Sequence, residues 1–222
     1  MRIALAVPCH SMIHADTHSA ICGLHAISLR HGRDLVLATT SASIVGNARN
    51  AAVDFARSCQ ATHLLMIDSD MIFPPWLLEE YLRHDVDIIG TPYRRRGPPW
   101  GMMGEMEPDQ DLAALAEGEA PVKFKWLATG LMMVKMSVFD KLTKPYFKHP
   151  VENGKLKGED LQFCEDVKAV GYDINGLLHF PRIGHIIEGV LWNDELNIMP
   201  AYMYDQKKAK EASDGSGSRQ SD

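Results

Sequence analysis

The feature that most constrains this chain is the run Leu64-Leu65-Met66-Ile67, closed by Asp68-Ser69-Asp70. Consecutive apolar residues with no polar alternation describe a strand covered on both faces, as in a parallel sheet. Side chains alternate along a strand, so Asp68 and Asp70, two residues apart, point the same way. At the strand's C-terminal edge, where open α/β sheets bind their ligands, they present two hard oxygen donors. Paired carboxylates suit Mg²⁺ or Mn²⁺ carrying a substrate phosphate. The same tripeptide also serves as a plain acidic turn, and the motif alone does not choose between the two.

The surrounding sequence alternates strand and helix. Strands are expected over 2–7, 34–40, 63–67 and 87–90, with helices over 17–30, 48–59 and 75–83 between them. Pro74-Pro75 suits a helix start, because proline is tolerated in a first turn. From Thr91 to Glu119 the pattern breaks into turn formers and an acidic stretch, which reads as a functional loop. Strands follow over 122–126 and 131–135, a helix over 158–170 closed by Gly171, and a last strand over 173–178. Alternation of this kind predicts an α/β fold built of βαβ units around a parallel sheet.

The 222 residues fit one domain, expected over 1–204, with a polar tail over 205–222 that is expected to be disordered. A net charge of −6 argues against coating nucleic acid by bulk electrostatics, but leaves room for a local patch at Arg94-Arg95-Arg96. No apolar run of about 18 residues is present to span a membrane. The N-terminus turns polar too early for a signal peptide and reads as a first strand. Cys9, Cys22, Cys59 and Cys164 are scattered with no C-x-x-C pair, which suits reduced thiols in a cytoplasmic protein.

Several other residues stand out. Glu159-Asp160 opens a helix, where acidic side chains either do chemistry or simply favour the helix dipole. Arg49 sits near a helix start, against that dipole, which hints at another task. Pro8 and His10 end the first strand, where such a sheet places a nucleotide base. His10, His14 and His18 share helical spacing, but lack the H-E-x-x-H arrangement of a zinc site. Of the run Arg94-Arg95-Arg96 after the fourth strand, one arginine suits a diphosphate or an anionic acceptor, and the run equally suits a solvated loop.

Taken in order, Gly46-Asn47-Ala48-Arg49-Asn50, Asp68-Ser69-Asp70, Gly158-Glu159-Asp160-Leu161-Gln162-Phe163-Cys164 and Gly184-His185 resemble the motifs of GT-A glycosyltransferases, close to small bacterial and phage-encoded members. The resemblance implies a GT-A fold, with a mixed, mostly parallel sheet flanked by helices, and a bound Mn²⁺ or Mg²⁺. Asp70, Asp68 and His185 are then the metal ligands, with His179 a weaker rival for the histidine. Arg49, Pro8, His10, Asp68, Ser69 and Asp70 would hold a nucleotide-sugar donor, UDP-linked. Asp160, or Glu159 in its place, would be the general base of an inverting transfer. Trp126, Thr129, Gly130 and Arg94 would face the acceptor, either a glycan or a hydroxymethylated base of phage DNA. The expected location is the cytoplasm of a bacterium or of a phage-infected host. Two rivals stay open: a nucleotidyltransferase, although no Gly-rich loop follows the first strand, and a non-catalytic nucleotide-sugar-binding module.

Overall fold

A computed structural model describes residues 1–97, 101–108, 120–178, 183–187, 190–191 and 198–199. In chain order the first elements are β1 (Arg2–Cys9), α1 (Ala15–Arg30), β2 (Asp34–Ser41), α2 (Val45–Ser58), β3 (His63–Ile67) and β4 (Met71–Ile72). Then come α3 (Leu77–Arg83), β5 (Ile88–Gly90), β6 (Gly104–Met106), β7 (Val122–Leu127) and β8 (Leu131–Lys135). The remainder are α4 (Met136–Phe139), β9 (Val151–Glu152), β10 (Lys155–Leu156), α5 (Glu159–Ala169), β11 (Ile174–Gly176) and β12 (Gly184–His185).

Eight strands form one sheet in the order β2-β1-β3-β8-β5-β11-β7-β6. β1 runs parallel to β2 and β3, and β5 to β11. β8 lies antiparallel between β3 and β5, and β7 antiparallel between β11 and β6. Only β8 and β7 therefore oppose the common direction, so the sheet is mixed and mostly parallel. The C-terminal ends of β1, β3 and β5 consequently share one edge.

The uninterrupted run in β3 has a direct cause. Leu64 and Met66 join Ala4, Ala6, Ala52, Val53 and Phe163 in a core under α2 and α5. Leu65 and Ile67 join Ile3, Leu5, Leu24, Leu77 and Tyr81 in a second core under α1 and α3. Each such side chain contributes roughly 1.5–3 kcal/mol of burial, and both faces of the strand need it.

Element ends differ from the sequence pattern where local hydrogen bonds decide them. α1 starts at Ala15 because the His14 Nδ1 caps the Asp16 N–H at 3.3 Å. α3 starts at Leu77, since Pro74 lies in a turn whose carbonyl accepts the Leu77 N–H at 3.1 Å. β6 falls inside the stretch expected to be irregular, and β4 and β12 pair with each other. Strands of two or three residues carry no periodicity, so only tertiary pairing defines them.

The described chain divides into two units at His185/Ile186. In the second, β13 (Val190–Leu191) and β14 (Ile198–Met199) pair antiparallel. The expected boundary at 204, the tail 205–222 and His179 lie outside the described residues. Among the described residues no helix is long and apolar enough to cross a membrane. The four cysteines form no disulfide.

Gly90, on β5, lies directly against β8. A Cβ there would meet the Leu131 carbonyl oxygen and the Leu127 Cδ2, each at 2.8 Å. The backbone oxygen cannot step aside without breaking the pairing. Gly90→Ala is therefore expected to cost about 1–3 kcal/mol, read as a lower urea midpoint with an unchanged slope.

Candidate active site

The site is assembled at the shared sheet edge, and its centre is a buried cation. The inner face of α2 carries Gly46, Ala48, Arg49, Ala52, Val53 and Ala56 at helical spacing, all buried. Arg49 thus points inward with the alanines and is only 4% exposed. Its Nη2 donates to Asp68 Oδ1 and Oδ2 at 2.9 and 3.1 Å, and its Nη1 donates to Glu159 Oε1. The guanidinium therefore joins α2, the turn after β3 and the first residue of α5. Charge-assisted pairing of this kind offsets the several kcal/mol that burying each ion costs.

Asp68 is held from a second side. Its N–H donates to the Gly130 carbonyl at 2.8 Å. A Cβ on Gly130 would lie 2.5 Å from Asp68 Oδ2 and would also strike the Tyr93 hydroxyl. Glycine is required at 130 because a carboxylate and a phenol occupy the space. Burial pushes the Tyr93 phenol well above its ordinary pKa, and the neighbouring Asp68 charge adds to the rise. Tyr93 therefore stays a neutral hydroxyl.

Asp70 faces a different set. β4 and β12 pair with His185 opposite Met71, which brings the imidazole beside Asp70. His185 Nδ1 is 2.8 Å from the Arg94 carbonyl, so Nδ1 carries the proton. Nε2 then faces Asp70 Oδ2 at 3.5 Å. The Tyr93 ring meets the imidazole edge-on with centroids 5.0 Å apart. Arg96 Nη1 also lies 2.8 Å from Asp70 Oδ2. Burial pushes the Asp70 carboxyl up, but His185 and Arg96 outweigh it and carry the pKa below the ordinary value. Burial likewise lowers the His185 imidazolium, yet its bonds to Asp70 and the Arg94 carbonyl leave it net raised.

Asp160 follows Glu159 on α5 and is half-buried. Its Oδ1 accepts the Leu161 N–H at 2.8 Å. Among the described residues no cation pairs with it, although its charge acts on both Arg49 and Tyr93. The acid pair at this helix start thus divides: Glu159 turns inward to Arg49 and, at 3.6 Å, to His149, while Asp160 stays on the site side.

The structure separates several residues that the sequence grouped together. Arg49, expected on the nucleotide, spends both terminal nitrogens on carboxylates. Asp68, expected as a metal ligand, is turned to Arg49, while Asp70 faces His185. Among the described residues no three His, Cys, Asp or Glu side chains converge as a metal cluster, the histidines at 10, 14 and 18 included. The pair Asp70 and His185 still fits a divalent ion: one carboxylate, one imidazole with its tautomer fixed by a backbone carbonyl, and open positions for phosphate oxygens and water. Thr129 is wholly buried and Gly130 serves as clearance, so neither presents a side chain to an acceptor. Trp126 is half-buried on β7, and the Arg94 side chain is exposed. Pro8 is buried at the end of β1, and His10 is exposed beyond it. The Ser69 carbonyl accepts the His14 N–H at 2.9 Å, tying α1 to the acidic turn. Arg96 belongs to the arginine run in which the sequence places a diphosphate or acceptor contact, whereas nothing in the sequence singles out Tyr93.

No protein-family pattern and no curated protein matches the sequence. By shape the chain is similar to A197 from STIV, at 17% identity and a TM-score of 0.55, covering 90% of this chain and 94% of that one. It is also similar to a Drosophila β-1,4-galactosyltransferase 7 mutant crystallised with manganese, UDP-Gal and xylobiose (15% identity, TM-score 0.52, 84% and 71% covered). GalNAc-T7 with UDP, GalNAc and Mn²⁺ gives 13% identity and a TM-score of 0.53 over 85% of this chain, but only 44% of its own length. The fold is therefore the GT-A fold of nucleotide-sugar transferases.

Removing Arg49 leaves two carboxylates near each other without their cation. Arg49→Ala is expected to destabilise by about 3–5 kcal/mol. Arg2→Ala, which breaks the exposed Arg2–Asp34 pair, should cost at most about 1 kcal/mol. Chemical denaturation of both variants checks the contrast.

Proposed function

We propose that this chain is a metal-dependent glycosyltransferase that moves a sugar from a nucleoside diphosphate donor, UDP-linked, to a hydroxyl acceptor with inversion. The supporting observation is the convergence at one sheet edge of the Asp70–His185 pair with Asp160, a carboxylate that forms no ion pair among the described residues. The fold accords with this reading, since two of the similar structures hold UDP or UDP-Gal together with manganese.

In this reading Asp70 and His185 hold a Mn²⁺ or Mg²⁺ ion. When bound, that ion neutralises the charge that develops on the departing diphosphate. Asp160 takes the proton of the acceptor hydroxyl as it attacks the anomeric carbon, which gives single displacement and inversion. Arg49 and Glu159 do not touch substrate. They fix the turn carrying Asp70 and the helix start carrying Asp160 relative to each other. Pro8 and His10 border the base, and Trp126 and the exposed Arg94 border the acceptor. The acceptor hydroxyl belongs to a glycan or to a modified DNA base. Duplex binding with a steep salt slope would select the second.

Asp70→Ala is expected to abolish the Mn²⁺-dependent thermal shift given by a nucleotide sugar. Asp160→Asn should keep that shift and lower kcat by about 10²–10⁴-fold. The products should be a nucleoside diphosphate and an inverted glycoside. Pyrophosphate release would favour a nucleotidyltransferase, a retained anomer would remove Asp160 as base, and donor binding with no turnover would favour a binding module.

A further inference from the structure

We infer that Arg96 occupies the cation position at Asp70 in the donor-free protein and exchanges that partner for the donor's diphosphate when a divalent ion arrives. The inference rests on the metal site proposed above.

Two distances carry it. The Arg96 Nη1 is 2.8 Å from Asp70 Oδ2, the same oxygen that His185 Nε2 approaches at 3.5 Å. A cation held by Asp70 and His185 on the side of that oxygen competes with the guanidinium for it. Two positive groups on one carboxylate oxygen repel, and a divalent ion supplies the larger charge. The loop itself need not move for the exchange. Its base is held by the Arg94 carbonyl on His185, by the Met103 N–H on the Tyr93 carbonyl and by the Arg95 N–H on the Gly101 carbonyl at 3.0 Å. The Arg94↔Met102 bridge adds to it.

The displaced side chain stays within reach. Arg96 is long and 63% exposed, so it swings without breaking core packing. From its present anchor it already spans to the atom on which the ion, and hence the phosphates, would sit. Guanidinium pairs bidentately with phosphate oxygens and strengthens as water leaves. Arg96 thus has two anionic partners at one place, Asp70 before loading and the diphosphate after it. A positive group also keeps the acidic turn neutralised while the ion is absent.

The exchange predicts opposite signs for one substitution. Titrate the full chain by calorimetry with Mn²⁺ alone, and then with pyrophosphate at saturating Mn²⁺. Arg96→Ala should bind Mn²⁺ alone about three- to fivefold tighter, the worth of one exposed ion pair. The same variant should bind pyrophosphate about tenfold or more weakly, as expected for a lost charge-assisted pair. Arg95→Ala removes an equal charge from the same loop without the contact, and should change either affinity less. Unchanged or weaker Mn²⁺ binding in Arg96→Ala overturns the exchange, as does equal behaviour of the two variants or unaltered pyrophosphate affinity. Asp70→Ala separates the two levels: if it binds Mn²⁺ as the parent does, the metal site itself is wrong.

Discussion

A single buried guanidinium organises the edge of this sheet. Arg49 enters from α2, is only 4% exposed, and meets Asp68 from the β3 turn and Glu159 from the start of α5. Those segments come from three separate parts of the chain and share no strand pairing at this point. An ion pair in such a position adds little net stability over a well-packed apolar trio, because desolvation cancels much of the attraction. What it supplies is geometry. Leaving any one member out strands a buried charge, so the three segments assemble together or at considerable cost. Asp70 and Asp160 each sit one or two residues from a clamped partner, and their separation follows from the clamp.

The fold was readable because its central strands β1, β3, β5 and β8 are covered on both faces. An unbroken apolar strand and helices with one buried face leave a strong periodic signal. The antiparallel insertion of β8 between β3 and β5 left no such mark, since Leu131 to Lys135 reads the same in either direction. The short pairings were equally silent. Yet β4 with β12 is what carries His185 to Asp70 across more than a hundred residues of sequence.

Individual roles at the site were less legible than the motif order. Arg49 lies near a helix start, where a basic residue usually faces solvent, and nothing local says that α2 rolls this position inward. Only the stripe at 46, 49, 52, 53 and 56 does so, and it needs the arginine to be counted with the alanines. Asp68 and Asp70 share a side by strand alternation only while the strand continues. β3 ends at Ile67, so the two carboxylates leave the strand and diverge: Asp68 to Arg49, and Asp70 to His185. Glu159 and Asp160, adjacent on a helix, are about 100° apart, and the first is drawn inward while the second is not.

Charge pairing then divides the acids by how firmly each is held. Asp68 and Glu159 are committed to a cation that cannot leave, because Arg49 is only 4% exposed and its helix packs on the core under α2 and α5. Such carboxylates are poor ligands and poor bases, since using them means stranding Arg49. Asp70 is paired with groups that can yield: an exposed arginine and an imidazole held by one backbone bond. In the proposed reading only the arginine gives way to a stronger cation, and the imidazole stays beside Asp70 as a ligand. Asp160 has no cation among the described residues and one backbone donor, which leaves an oxygen able to take up a proton. The order of commitment, from fixed through exchangeable to unpaired, matches the order in which a sugar transferase would need scaffold, ion site and base.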